Sequence, residues 1–279
     1  MTGMANRKRP ARIAIATSAA ILLVCSVALG GCDDGHEDAE LQIWVAHSAG
    51  DAIDDAQDAY SDSHGWISFA DSEDMSSGNI VVELGSGAYG DVFFSATEED
   101  MDAAEESGLV ISGTRQDVFE DSLVVIAAEG SGLDAGSLGD IVSSGYTLCI
   151  GDSFVVSGIP AAQALYSVGA YTSESGEDGV FSGIEPIVAT ETADIVSSVT
   201  DGDADFGLVL SSDFYQYYPD EAIEIAFVVD PDAYDSIIYS AAVCSSSLYP
   251  EEAQDFIEWC VTDGSASGIW EEWGLALVG

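Results

Sequence analysis

Short apolar runs alternate with segments of helical spacing from Leu41 to the carboxyl end, and that alternation restricts the architectures open to this chain. The run 41–46 precedes Ala52, Ile53, Ala56, Ala59 and Tyr60, which recur at the spacing of one helix face. The same order returns with 66–70 before 75–84, 91–95 before 98–107, 147–150 before 160–168 and 185–189 before 193–199, while 123–128 and 206–210 add further apolar runs. Strands separated by helices predict an α/β fold with largely parallel sheets. Two closing helices, 250–260 and 266–273, are expected to pack through Phe256, Trp259, Trp270 and Trp273.

The amino end follows another pattern. Arg7, Lys8, Arg9 and Arg12 precede an apolar run over 13–29, the order of charges and hydrophobicity found in secretory signals. The run ends in Leu29-Gly30-Gly31-Cys32, which resembles the bacterial lipobox. The expected organisation is therefore a signal over 1–31, a lipid on Cys32, an acidic tether over 32–40 and a folded body outside the cytoplasm, anchored to the cell membrane. An uncleaved anchor is the competing reading, although the run is marginal in length for a membrane span. Roughly 240 residues remain for folding, enough for one large domain or two modest ones.

Charge excludes some partners. All 51 Asp and Glu lie beyond Gly31, where Arg115 is the single Lys or Arg, so one cation against 51 acids leaves a formal charge of −50 with His neutral. Nucleic acid is excluded, because binding phosphates requires cations that displace counterions. Disorder is also disfavoured, since 47% of residues are hydrophobic and the mean hydropathy is +0.20. The acids read as a solvated surface suited to solubility or high salt. Cys149, Cys244 and Cys260 follow the anchor without metal-type spacing; Cys149 reads as a buried small side chain, and a disulfide between Cys244 and Cys260 stays open beside two free thiols.

Chemistry concentrates where strands give way to helices, because a Ser or Thr stands at four such joints: Ser48, Ser72, Ser157 and Thr192. A helix start offers unpaired N–H groups and the positive end of its dipole, so several starts meeting in one crevice can hold an anion without Lys or Arg. In open α/β sheets such crevices lie at the carboxyl ends of strands. Each residue alone also fits an ordinary N-cap, and Ser48 with Asp51 fits a capping box. There is no nucleophile elbow and no His-Glu-x-x-His motif, so nothing in the sequence calls for an enzyme.

From Leu41 onward the chain resembles the molybdate-binding proteins of ABC importers. The resemblance rests on Gly90-Asp91-Val92-Phe93-Phe94-Ser95-Ala96 with Met101-Asp102, on Thr114-Arg115-Gln116 leading into Asp121-Ser122-Leu123-Val124-Val125-Ile126-Ala127, on Ile150-Gly151-Asp152 with Ser157-Gly158, and on Phe206-Gly207-Leu208-Val209-Leu210-Ser211-Ser212-Asp213. It implies two α/β lobes with the ligand in the cleft between them: 41–121 with 238–279 as one lobe, and 122–237 as the other. It also implies capture of molybdate or tungstate by lobe closure, with hydroxyls from Ser48 and Ser72 and N–H groups from Ser157 and Thr192. The position that supplies a Tyr hydroxyl in that family falls on Leu210, the small residue beside the first Ser is replaced by His47, and the acids Asp71, Glu73 and Asp74 crowd the loop around Ser72.

The resemblance further implies no cofactor, a monomer, and delivery of the ligand to a membrane permease with its ATPase. His47, if it faces the cleft, would donate to the anion when protonated; packed beneath the cleft, it would not. Arg115 is expected in an ion pair or cap outside the binding set, and His36 and His64 show no partner pattern. Two rivals remain: the same fold binding a different oxyanion or small solute, and a calcium-binding acidic surface lipoprotein, for which no Asp-x-Asp-x-Asp-Gly loop appears.

Overall fold

The computed structural model describes residues 38–278. The signal, Cys32, His36 and most of the tether lie outside the described residues. In chain order the elements are β1 (Ala39–Leu41), β2 (Ile43–Ala46), α1 (Gly50–Ser63), β3 (Ile67–Phe69), β4 (Glu73–Met75), α2 (Ser77–Gly85), β5 (Val92–Ser95), α3 (Glu98–Glu106), β6 (Gln116–Asp121) and β7 (Leu123–Ala128). They continue as α4 (Leu138–Ser144), β8 (Leu148–Gly151), α5 (Gly158–Ser167), β9 (Ile187–Ala189), α6 (Thr192–Thr200), β10 (Phe206–Leu210), α7 (Ser211–Tyr217), β11 (Ile223–Val228), β12 (Ile237–Val243), α8 (Pro250–Thr262), α9 (Gly264–Glu272) and β13 (Ala276–Leu277). Ala39 and Glu40, expected to end the tether, instead form β1 with Leu41 and pair in parallel with β3.

Two larger sheets organise two lobes. One has six strands in the order β13-β6-β12-β5-β2-β4, and the other has five in the order β11-β7-β10-β8-β9. Helices cover both faces of each sheet, which explains why the strands read as apolar runs and not as alternating patterns. In the six-stranded sheet Ile43, Val45, Phe94 and Tyr239 pack with Ile53, Phe256 and Trp270, while Trp44 and Phe93 on the opposite face pack with Ile80 and Met101. In the five-stranded sheet Leu123, Val125, Ile150 and Leu208 pack with Ala161 and Leu165, while Val124, Ile126 and Val209 pack with Ile195 and Val199.

The sheets are less parallel than the alternation predicts. β2, β4 and β5 run parallel, as do β8, β9 and β10. β7 and β12, however, lie antiparallel to their neighbours. The chain passes from one sheet to the other between β6 and β7 and returns between β11 and β12, so the strands that carry it cannot all follow the βαβ direction.

Candidate functional site: the facing edges of two sheets

Register fixes which edges meet. Val45 pairs with Phe94 and Ala46 with Met75, so β2, β4 and β5 end together on one edge. β6 is antiparallel to β12, which is antiparallel to β5, so Asp121 ends β6 on that same edge, opposite Ile237. In the other sheet Leu210, the last residue of β10, pairs with Leu123, the first of β7. Ser122 alone separates β6 from β7, so this crossover joins the carboxyl edge of one sheet directly to the carboxyl edge of the other. The joints after β2, β4, β8 and β9 therefore open toward the same interlobe region, as ligand crevices of open α/β sheets do.

Three of the four sequence-predicted residues stand on these edges. Ser48 follows β2 inside the short 3-10 turn His47–Ala49, half-buried, and its Oγ lies 2.5 Å from the Tyr239 hydroxyl. It is not a cap of α1, whose N-cap is Ala49. His47 has a side chain 62% exposed and is not packed beneath the cleft; its Nδ1 lies 2.7 Å from Asp74 Oδ1. The bond to Asp74 holds the imidazole pKa above 6.5 against partial burial, and the charges of Asp213 and Asp51 add to that rise.

Ser72, the fourth, stands elsewhere. The strand that enters the six-stranded sheet is β4, not the run 66–70, which pairs only with β1. Ser72 precedes β4 and so stands about 10 Å, three strand residues, from its carboxyl end. There it donates to Asp54 Oδ1 at 2.8 Å and accepts from Gln57 Nε2 at 2.7 Å on α1. The residues at the joint are Ser76, the N-cap of α2, and the buried Ser77, whose Oγ accepts from Ala96 N at 3.0 Å. The expected acidic loop is partly strand, with Glu73 and Asp74 in β4 and exposed. A three-residue strand rich in acids carries no hydrophobic periodicity, so the sequence pattern passes over it.

In the second lobe Ser157 is the N-cap of α5 and Thr192 opens α6 after the N-cap Glu191. Ser157 is fully buried and its Oγ has no hydrogen-bond partner. Beside it a hollow of about 290 Å³ is lined by Gly151, Asp152, Gly158, Tyr171 and Phe181. Gly158 is dictated by contact, because a Cβ there would collide with the backbone carbonyl oxygen of Asp152. Leu210 is buried and offers no hydroxyl. Its N–H donates to Asp213 Oδ2 at 3.1 Å.

The crossover holds a polar network that sequence reasoning did not single out. Asp121 Oδ1 accepts from Ser122 N at 2.7 Å and Ser212 N at 3.4 Å, and its Oδ2 accepts from Ser212 Oγ at 2.5 Å. A carboxyl from the first lobe thus caps the first turn of α7 in the second, and Ser211 N donates to Ser122 O at 2.8 Å. Asp121, Ser212, Asp213 and Tyr239 are all buried. Burial pushes the Asp121 carboxyl up to about 7 despite the bond from Ser212, and the neighbouring Asp213 adds to the rise. Burial raises Asp213 to about 6, opposed by the bond from Leu210 and by His47.

The bacterial extracellular solute-binding protein family matches residues 41–276. The chain belongs to that family. This solute-binding protein is 24% identical over 94% of its length, and 96% of the relative's, to a Bacillus subtilis (strain 168) protein assigned as the ABC transporter substrate-binding lipoprotein YvgL. It is 25% identical to the molybdate-binding protein of Mycobacterium tuberculosis (strain H37Rv), over 72% of this chain and 70% of that one. The solved periplasmic molybdate-binding protein of Azotobacter vinelandii superposes with a TM-score of 0.67 at 20% identity, covering 86% of this chain and 100% of that one, a likeness that shows the two-lobed fold. Membership of a family of solute binders makes the protein a carrier of ligand and not an enzyme.

The remaining candidates in this binding protein lie away from the crossover. Arg115 Nη1 donates to Asp102 Oδ1 at 2.5 Å and Glu105 Oε2 at 3.2 Å on α3, the expected ion pair. His64 stacks on Tyr60 with centroids 3.9 Å apart. Cys149, Cys244 and Cys260 are buried free thiols, so no disulfide joins Cys244 to Cys260. Burial pushes the Cys244 thiol up to about 12. Among the described residues no group of three or more His, Cys, Asp or Glu is arranged to hold a metal ion.

Proposed function

We propose that this chain is the extracytoplasmic, lipid-anchored solute-binding protein of an ABC importer and that it captures molybdate or tungstate by closing its lobes. The reading is supported by uncharged donors standing at strand ends on the two edges that the crossover joins, in a folded body whose single Lys or Arg is engaged on α3. Ser48 supplies a hydroxyl from the first lobe, and the start of α2 at Ser76 and Ser77 takes the part expected of Ser72. The starts of α5 at Ser157 and α6 at Thr192 supply N–H groups from the second lobe. Helix starts suit a dianion that accepts hydrogen bonds and donates none. The relatives named as molybdate-binding or as an ABC transporter component support ligand and partner. Hinge bending at the crossover would bury the anion, and the closed form would dock on a permease driven by its ATPase.

Isothermal titration with molybdate, tungstate, sulfate and phosphate tests the ligand. Heat with the first two and weaker binding of the smaller sulfate is the expected result; heat with none of the four removes the oxyanion reading. A melting point that rises with the logarithm of calcium concentration, and not with molybdate, would favour a calcium-binding surface lipoprotein instead. Mass spectrometry of the mature amino terminus tests the anchor, with a diacylglyceryl group on Cys32 as the expected modification.

A further inference from the structure

A carboxylate of the first lobe already sits over the start of α1. β4 runs parallel to β2, with Asp74 beside Val45 and Met75 beside Ala46, so Asp74 stands near the edge where β2 gives way to the His47–Ala49 turn. Its Oδ1 lies 2.7 Å from His47 Nδ1. Its Oδ2 lies so close to Gly50, the first residue of α1, that a Cβ there would come within 2.7 Å of it. α1 has no side-chain cap of its own, because its N-cap is Ala49. The turn packs against α7 of the second lobe, which puts it in the interlobe region. Ser48 follows His47 directly and Ser76 lies two positions beyond Asp74, so the pair adjoins both first-lobe donors of the proposed capture.

We propose that Asp74 is a built-in counter-anion that sets the affinity of the site: in the free protein its carboxylate holds His47 and the start of α1, and an arriving oxyanion displaces it and takes over the imidazole N–H. The proposal rests on the oxyanion reading of the cleft. A carboxylate has the same needs as that ligand, since it accepts hydrogen bonds, donates none, and is drawn to the N–H groups and positive dipole end of a helix start. Because an ionised carboxylate only accepts, the proton between the two side chains belongs to His47 Nδ1, and displacement releases that donor to a ligand oxygen. The two anions exclude one another, because like charges a few Å apart repel strongly. Asp51 on α1 and Asp213 on α7 also face His47, so a dianion entering beside an unmoved Asp74 would meet three carboxylates. Asp74 has room to leave: β4 is an edge strand and the side chain is 35% exposed, so a change of rotamer turns the carboxylate out to water. Gly50 is what admits it in the first place, since any larger residue would fill the space above the helix start.

Isothermal titration of the full chain with molybdate, at one pH and ionic strength, compares wild type with Asp74→Asn, which removes the charge and keeps an oxygen for His47. The variant is expected to bind molybdate about tenfold more tightly or better, a gain that loss of a merely structural contact would not give. Asp74→Ala shows the same gain and carries the test if Asp74→Asn does not fold. Adding His47→Ala to Asp74→Asn weakens binding by about tenfold, because the ligand then lacks the imidazole N–H. Nitrogen NMR of labelled histidine reads the exchange in wild type, where the His47 Nδ1 signal shifts when molybdate is added. Unchanged or weaker molybdate binding in both Asp74 variants overturns the proposal while sparing the oxyanion reading. So does phosphate binding in wild type that Asp74→Asn abolishes, since the carboxylate would then be accepting a ligand proton and not giving way. Absence of heat with molybdate and tungstate in wild type and variants alike overturns both.

Discussion

The two sheets offer unlike edges to the region they share. On the first lobe the polar groups are already engaged with one another: His47 with Asp74, Ser48 with Tyr239, and Asp121 reaching across to Ser212. On the second, Ser157 is sealed with an unpartnered hydroxyl and Leu210 presents none. Side-chain hydroxyls that are held by neighbours are positioned before a ligand arrives, whereas the starts of α5 and α6 have backbone N–H groups to contribute. In the proposed capture, the first lobe would orient the ligand and the helix dipoles of the second would offset its charge.

The largest effect should come from pH acting on the crossover. Asp121 and Asp213 have folded pKa values near 7 and 6, above the unfolded value near 3.9, so the folded state binds more protons in between. Their contribution to stability is therefore present below about pH 4 and is lost as pH rises through about 6 and then 7. Each tenfold difference in proton affinity between folded and unfolded chain is worth about 1.4 kcal/mol, so the loss amounts to roughly a few kcal/mol. Thermal melts should show a higher midpoint near pH 5 than near pH 8, and Asp121→Asn should flatten the trend. An unchanged slope in that variant would detach the crossover from the stability of the molecule.

Next in size is Gly158→Ala, which pushes a methyl group into Asp152 O. Overpacking of this kind costs about 1–3 kcal/mol, and the displaced start of α5 should also weaken molybdate binding in titration. Ser48→Ala follows, with a loss of about 1 kcal/mol or somewhat more in anion affinity and a smaller change in melting temperature. The smallest effect is expected at Ser157→Ala. Removing a buried hydroxyl that has no partner should leave stability within about 0.5 kcal/mol of wild type or raise it, and affinity should hold if that lobe binds through its backbone. A Ser157→Ala loss as large as that of Ser48→Ala would erase the contrast between the two edges.

The long runs were legible in the sequence. Apolar runs at 123–128 and 206–210 coincide with β7 and β10, and the helical spacing after Gly50 with α1, because strands and helices buried on one or both faces must carry apolar residues at fixed periods. The places of Ser48, Ser157 and Thr192 between strand ends and helix starts were legible too. β4, the start of α2 at Ser76 and Ser77, and the contacts of Asp121 with Ser212 and of Ser48 with Tyr239 were not. β4 is short, exposed and acidic, and these contacts join residues as far apart as Ser48 and Tyr239, a separation of 191 positions.

By itself, then, the order of residues determined the alternation of elements, the near absence of positive charge and the kind of donor available, since periodicity and ionisation belong to each segment alone. Only the tertiary structure decided which donors face one another, that a buried carboxyl bridges the lobes, and that Tyr239 supplies a hydroxyl beside Ser48. Register between distant strands is set by packing over the whole sheet, and no local pattern encodes it.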